Sequence, residues 1–282
     1  MDQKPVNPLR AHFRQPAIYL KLPSGGQFWG NGLDLQPGHE LPIYPMTAKD
    51  EILLKTPDAL LNGQGVVDVI QSCCPNIVDA WQMPSVDVDS VLIAIRIASY
   101  GQFMPVDTKC PHCGTENSFD IDLNSYLDSV VLPNYNQKVQ HSKVKIKIKP
   151  QNYASVNETS KISYEQQRVL ENIALDGTED IDKVNEYKRH ITKLVDLNSK
   201  LLVDNTEYIE IVDTGTIVDD PEFIAEFYFN CDADLCKALQ DKLAELNQEG
   251  AIKPQAGTCS NCEKNYNVNL TFDYASFFAS RS

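Results

Sequence analysis

Positive charge is scarce in this chain of 282 residues: 25 lysines and arginines face 39 aspartates and glutamates, giving a formal net charge of −14. Phosphate backbones are gripped through an excess of Lys and Arg, so this balance argues against general nucleic-acid binding. Long apolar runs are missing too. No uninterrupted stretch could span a bilayer, and residues Met1 to Arg14 lack the apolar core of a signal peptide, which predicts a soluble, intracellular protein with no membrane insertion. Histidine is sparse. His12, His39, His112, His141 and His190 are scattered without the His-Glu-x-x-His spacing of a zinc hydrolase. The nucleophile elbow, the phosphate loop and the dinucleotide fingerprint are all absent, and Ser24-Gly25-Gly26 reads as a turn rather than a phosphate cradle. Asp87 and Asp89 read as the acidic start of a helix rather than as a catalytic pair. The expectation is therefore a protein that is not an enzyme.

What the chain does have is cysteine in a pattern. Of eight cysteines, four form two matching hooks, Cys110-Pro111-His112-Cys113 and Cys259-Ser260-Asn261-Cys262. Two thiolates two residues apart in a tight turn can face one ion, and two such turns complete a tetrahedron of sulfur around a structural Zn2+. Cys110, Cys113, Cys259 and Cys262 are thus the candidate metal ligands. Val106 leads into the first hook, and Phe119, Ile121 and Leu123 alternate behind it as a returning strand; Val268, Leu270 and Phe272 repeat this after the second. The hooks stand 146 positions apart, so if they share an ion, the chain between them is an insertion. The alternative is two unrelated pairs of buried thiols, or pairs holding separate ions. His112 reads as a turn residue. Cys73 and Cys74 are adjacent and read as core packing. Cys231 and Cys236 would lie about 140° apart around a helix, and they read the same way.

Along the chain, Ala17–Leu22 predicts a strand that turns at Pro23–Gly26 and returns through Gln27–Trp29 as a β-hairpin. Thr47 caps a short helix to Leu54, Pro57 starts another ending at Gly63, and a third from Val66 reaches Cys73. Val86–Tyr100, capped by Ser85 or Asp87, is apolar around most of its circumference and predicts the central core helix. Lys143, Lys145, Lys147 and Lys149 alternate with Val144, Ile146 and Ile148 as a half-buried strand whose lysines discourage edge pairing. Helices follow at Ser163–Leu175 and Asp180–Val203, paired as a hairpin around Gly177, then a strand at Tyr208–Val212, and a helical region from Asp220 broken near Asp232 and closing at Gly250. The aromatic tail Tyr274–Phe278 is too apolar to stand in water and should pack on this protein or a neighbour. The fold class is α+β: an N-terminal β-hairpin with helices, a discontinuous four-cysteine zinc ribbon, and a mostly helical insertion. The expected divisions are 1–137, 138–250 and 251–282.

Several stretches carry a family resemblance: Asn7–Arg10, Tyr19–Gly26, Leu41–Glu51, Leu54–Gly63, Pro75–Ile77, Met83–Pro84, Ile93–Ala98 and the Cys110–Gly114 hook. Together they resemble, in order from residue 7 to 125, the baseplate hub proteins of T4-type contractile-tailed bacteriophages. The resemblance implies a non-enzymatic hub component or assembly factor. It would touch other hub proteins and the tape-measure protein, in the host cytoplasm during assembly and in the virion tail baseplate. Two rival readings remain. A nucleic-acid-binding zinc ribbon would use Lys143–Lys149 as its patch, and a zinc hydrolase would need an open metal position.

Overall fold

The helix Ser85–Tyr100 is the rod around which the first core packs, with Val88, Val91, Leu92, Ile93, Ala94 and Ile95 all buried. The computed structural model describes residues 7–36, 38–56, 63–175, 181–268 and 277–278. Within these the chain is mixed α and β, with eight α-helices and small antiparallel sheets. In chain order the first half contains β1 (Ile18–Leu20), β2 (Leu41–Ile43), α1 (Ala48–Leu54), α2 (Gln64–Cys73) and α3 (Ser85–Tyr100). Then come β3 (Phe103–Lys109), β4 (Glu116–Asp122) and α4 (Leu123–Ser129). The remainder contains β5 (Lys138–His141), β6 (Val144–Ile148), α5 (Tyr153–Leu175), α6 (Ile181–Asp204), β7 (Thr206–Ile211) and β8 (Thr216–Val218). The chain ends with α7 (Pro221–Asn230), α8 (Ala233–Gly250), β9 (Gln255–Thr258) and β10 (Asn265–Val268).

Local signals placed several helices well. Thr47 and Asp50 form a capping box at α1, and Asp220 and Asp232 cap α7 and α8 through their side chains. Pairing across distance departs from the sequence reading. The partner of β1 is β2, in the register Ile18 with Ile43, and not Gln27–Trp29. Ser24 donates from both its backbone N–H and its hydroxyl to the buried Asp87 carboxylate, and Trp29 Nε1 donates to the same group at 2.8 Å. These bonds draw residues 24–29 onto α3, so the strand that completes β1 comes from further along. Asp87 is accordingly a buried acceptor, not a cap; Pro84 stands at the N-cap of α3 with no side-chain cap bond. Leu123 opens α4 instead of ending a strand, because Asp122 caps that helix through Asn124 N–H.

The segment between the hooks is mostly helical by residue but rests on a four-stranded antiparallel sheet in the order β5-β6-β7-β8. β6 is interior to it, so its lysines do not guard an edge. Its apolar face, Ile146 and Ile148, joins Ile209, Ile224, Tyr228, Leu235, Leu239 and Leu246 in a second core. Helix α5 begins at Tyr153, ten residues before the predicted start. That first turn is stitched to the first core, since Tyr153 N–H donates to Met83 O at 2.8 Å and the Tyr153 ring stacks on Trp81 at 5.6 Å. Helices α5 and α6 pack against each other. Phe277 and Phe278 are buried in the first core. The helix from Pro57, the Gly177 junction, Leu270, Phe272 and Tyr274–Ser276 lie outside the described residues. No helix among the described residues is long and apolar enough to cross a membrane.

Two carboxylates on α3 tie this packing to pH. Burial raises Asp87 to about 6, against the lowering by its Ser24 and Trp29 donors, and burial alone raises Asp89 to about 6. A folded-state pKa above the unfolded 3.8 means that the fold favours the neutral acid. This contribution is complete below about pH 3.8 and is lost as pH rises through about 6. Urea unfolding at pH 5 and pH 7.5 should show Asp89→Asn stabilising the protein at the higher pH by about 1 kcal/mol, with a flatter pH profile. Asp87→Asn should instead cost about 1–3 kcal/mol, because it turns an amide donor toward donors. Identical behaviour of the two variants would contradict this account.

Candidate metal centre

The two Cys-x-x-Cys hooks fold into the same local structure. In the first, Cys110 N–H donates to Thr115 O and Gly114 N–H donates to Cys110 O, each at 2.9 Å; Gly114 adopts a φ of +75°. In the second, Cys259 N–H donates to Lys264 O and Glu263 N–H donates to Cys259 O, each at 3.0 Å; Glu263 has a φ of +58°. Each turn needs a left-handed residue just after its second cysteine. Glycine meets that need without strain, and Glu263 holds a conformation that side chains rarely adopt. The turns join β3 to β4 and β9 to β10, which are antiparallel pairs.

The fold brings the two turns face to face. Cys110 Sγ lies 3.7 Å from Cys262 Sγ, Cys113 Sγ lies 3.6 Å from Cys259 Sγ, and all four sulfurs fall within 4.8 Å of one another. Among the described residues this is the one cluster of at least three His, Cys, Asp or Glu side chains able to hold a metal ion. Cys110 and Cys259 are buried, Cys262 is partly covered and Cys113 faces solvent. His112 is exposed and lies outside the cluster.

Asn117 clamps the two turns together. Its Oδ1 accepts from Ser260 N–H at 2.8 Å and from the Ser260 hydroxyl at 2.9 Å. Its Nδ2 donates to Thr115 O at 3.0 Å and approaches Cys259 Sγ at 3.7 Å. Beneath this clamp the Phe119 and Tyr266 rings meet edge to face at 5.9 Å. Gly257 permits that approach, since a Cβ there would sit 2.8 Å from Phe119 Cζ and from Val268 Cγ2. Asn117 and Gly257 carry no periodic or motif signal that would single them out in the sequence, and Ser260 is an unspecified position inside its Cys-x-x-Cys hook; only the pairing of two distant hairpins gives them a role.

The sulfurs differ in how readily they ionise. Hydrogen bonding with the Thr115 side chain and backbone holds Cys113 down to about 6, and the backbone N–H groups of Cys262 and Asn261 lower Cys259. Cys262 is pulled down by the Lys264 backbone, yet burial and the neighbouring sulfurs outweigh this and push it up to about 11. Metal binding takes the thiolate form of cysteine, and the four side chains could bind one metal ion.

None of the remaining candidates among the described residues joins this cluster. Cys73 and Cys74 are fully buried in the first core, and burial pushes Cys73 up to about 12. Of the lysine stripe, Lys143 pairs with Asp213 at 2.6 Å and Lys147 donates to Asn136 Oδ1 at 3.3 Å; Lys138, on β5 beside the stripe, pairs with Glu210 at 2.6 Å. Of the histidines, His141 pairs with Asp232 at 3.0 Å.

The family model for T4 bacteriophage base plate protein matches residues 15–279. No curated protein and no solved structure matches the chain.

Asn117→Ala should leave Ser260 N–H without its buried acceptor and lower stability by about 1–3 kcal/mol. Limited proteolysis should then cut within 250–268 earlier than in the unaltered protein. An unchanged unfolding midpoint and cleavage pattern would remove Asn117 from its role as clamp.

Proposed function

The chain belongs to the T4 bacteriophage base plate protein family, which makes it a structural component of a phage tail, and we propose that it acts in the baseplate hub. In this reading it is not an enzyme. It works through contacts with other hub proteins and the tape-measure protein, as a hub component or as a factor that assists hub assembly. It would do so in the host cytoplasm during assembly and in the tail baseplate afterwards.

The observation that carries the structural side of this reading is the sulfur geometry. A tetrahedron with metal–sulfur arms of about 2.3 Å has edges of about 3.8 Å. The separations of 3.7 and 3.6 Å across the two turns fit those edges. The ion proposed is zinc, held by Cys110, Cys113, Cys259 and Cys262 in a closed site, so that the two hairpins make one zinc ribbon. Zinc in such a site is a staple: it neutralises the thiolates and fixes the two turns, while Asn117 orients them. The proposed organisation is an N-terminal unit over 1–137, an insertion over 138–250, and a return over 251–282. The membership of the first core supports it, since Cys259, Tyr266, Val268 and Phe277 pack there with residues of the N-terminal half.

A hydrolase would need an open coordination position, which four sulfurs do not leave. A nucleic-acid interface would need an excess of free cations, and the net charge of −14 together with the pairing of Lys143 with Asp213 weighs against one.

The unaltered protein should contain about one zinc per chain, and a Cys259→Ser, Cys262→Ser double variant about none. The variant should also lose protease resistance over 250–282. Because protons compete for thiolates, zinc should be retained at neutral pH and released on acidification to about pH 4–5. Metal analysis that finds unchanged zinc in the double variant would separate the two hooks. For the hub role, affinity capture from infected cells should recover hub or tape-measure proteins, and mass spectrometry of purified virions should give the copy number. Recovery of no tail protein at all would reject the hub assignment while leaving the zinc result standing.

A further inference from the structure

Helices α7 and α8 meet at a corner that holds two thiols unused by the metal centre. Cys231 is the C-cap of α7, Asp232 is the N-cap of α8, and Cys236 follows within the first turns of α8. On one continuous helix the two cysteines would point about 140° apart. The break between the helices cancels that angle, and the sulfurs lie 3.2 Å apart. A disulfide is about 2.05 Å long, so a side-chain movement of about 1 Å would close the gap. Both cysteines are partly exposed, within reach of a small reagent. The corner is already held in place: Asp232 bonds Leu235 N–H at 2.8 Å and His141 Nε2 at 3.0 Å, over the buried Tyr228, Leu235 and Leu239.

We propose that Cys231 and Cys236 form a redox-active dithiol site that reacts with low-molecular-weight disulfides of the glutathione type to give an intramolecular disulfide across the α7–α8 corner. The Cys236 thiolate attacks one sulfur of the small disulfide; that S–S bond breaks, a mixed disulfide forms and one small thiolate leaves. The Cys231 thiolate then attacks Cys236 Sγ, the mixed bond breaks and the second small thiolate leaves. The protein loses two protons and two electrons, and the small disulfide becomes two thiols. Burial, with the neighbouring Cys236, pushes the Cys231 thiol up to about 12, so little of it is thiolate and its attack is the slow step, compensated by the 3.2 Å approach of the two sulfurs.

The other cysteines are placed differently. Cys73 and Cys74 are fully buried, and the four sulfurs of the metal centre are spaced for an ion. The disulfide would fix the end of α7 that presents Phe229, which is 84% exposed and two positions from Cys231. A tail protein that passes from a reducing cytoplasm to an oxidising medium would cross from dithiol to disulfide there.

The test uses the full chain loaded with zinc, incubated with oxidised glutathione, alkylated with iodoacetamide and digested with trypsin. The peptide Leu201–Lys237 has no internal Lys or Arg and contains both cysteines. It should lose two hydrogens, about 2 Da, and take up no alkyl group, and dithiothreitol should restore two alkylations. In Cys231→Ser, Cys236 should stop at the glutathione adduct, about 305 Da heavier. Double alkylation of the unaltered protein after oxidation, or its arrest at the mixed disulfide, would overturn the proposal whatever the variant does.

Discussion

The convergence of four sulfurs from hairpins 146 positions apart is the constraint on which the layout of the chain depends. Closing a loop of that length costs about 4–5 kcal/mol of chain entropy. The contacts at the junction offset this cost in part before any ion is considered. Asn117 reaches across to Ser260, and Phe119 packs on Tyr266 where Gly257 leaves room. The described end of the chain is thereby carried back to α3, where Phe277 lies over the buried Arg96 at 5.7 Å.

The segment between the hooks is anchored twice. One anchor is the sulfur cluster beyond α8; the other is the seam at Met83–Ser85, where Tyr153 and Gln151 bond the backbone ahead of α3. Phe28 adds a contact between the two cores by packing edge to face on Tyr135 at 5.6 Å. The inserted sheet is therefore tied at its base by backbone bonds as well as by the hooks.

Charge follows a similar logic of local compensation. The chain is acidic overall, yet its one basic strand lies inside a sheet whose neighbouring strand and turn supply Glu210 and Asp213. Cross-strand pairs of opposite sign stabilise a sheet modestly and discourage wrong registers. The stripe is thus part of the protein's own sheet. On α7, by contrast, the surface exposes two aromatic rings, Phe223 and Phe229.

Features governed by a few consecutive residues were legible in the sequence. The two cysteine hooks, the cap at Thr47, the helical start at Asp220, the enclosed helix α3 and the break near Asp232 all follow from local geometry and periodicity. The sequence also carried the family resemblance. Features that depend on what a segment meets were not legible. Strand β1 passes over its near neighbour for β2 because Asp87 holds Ser24 and Trp29, and β6 is interior because β7 arrives from far along the chain, Val144 pairing with Ile211 and Ile148 with Thr206. Asn117 becomes a clamp, and Cys231 and Cys236 become neighbours, only once distant hairpins meet and a helix breaks. Short-range sterics and hydrogen bonds act before the chain has folded, whereas these pairings are chosen by which buried polar group finds a partner after it collapses.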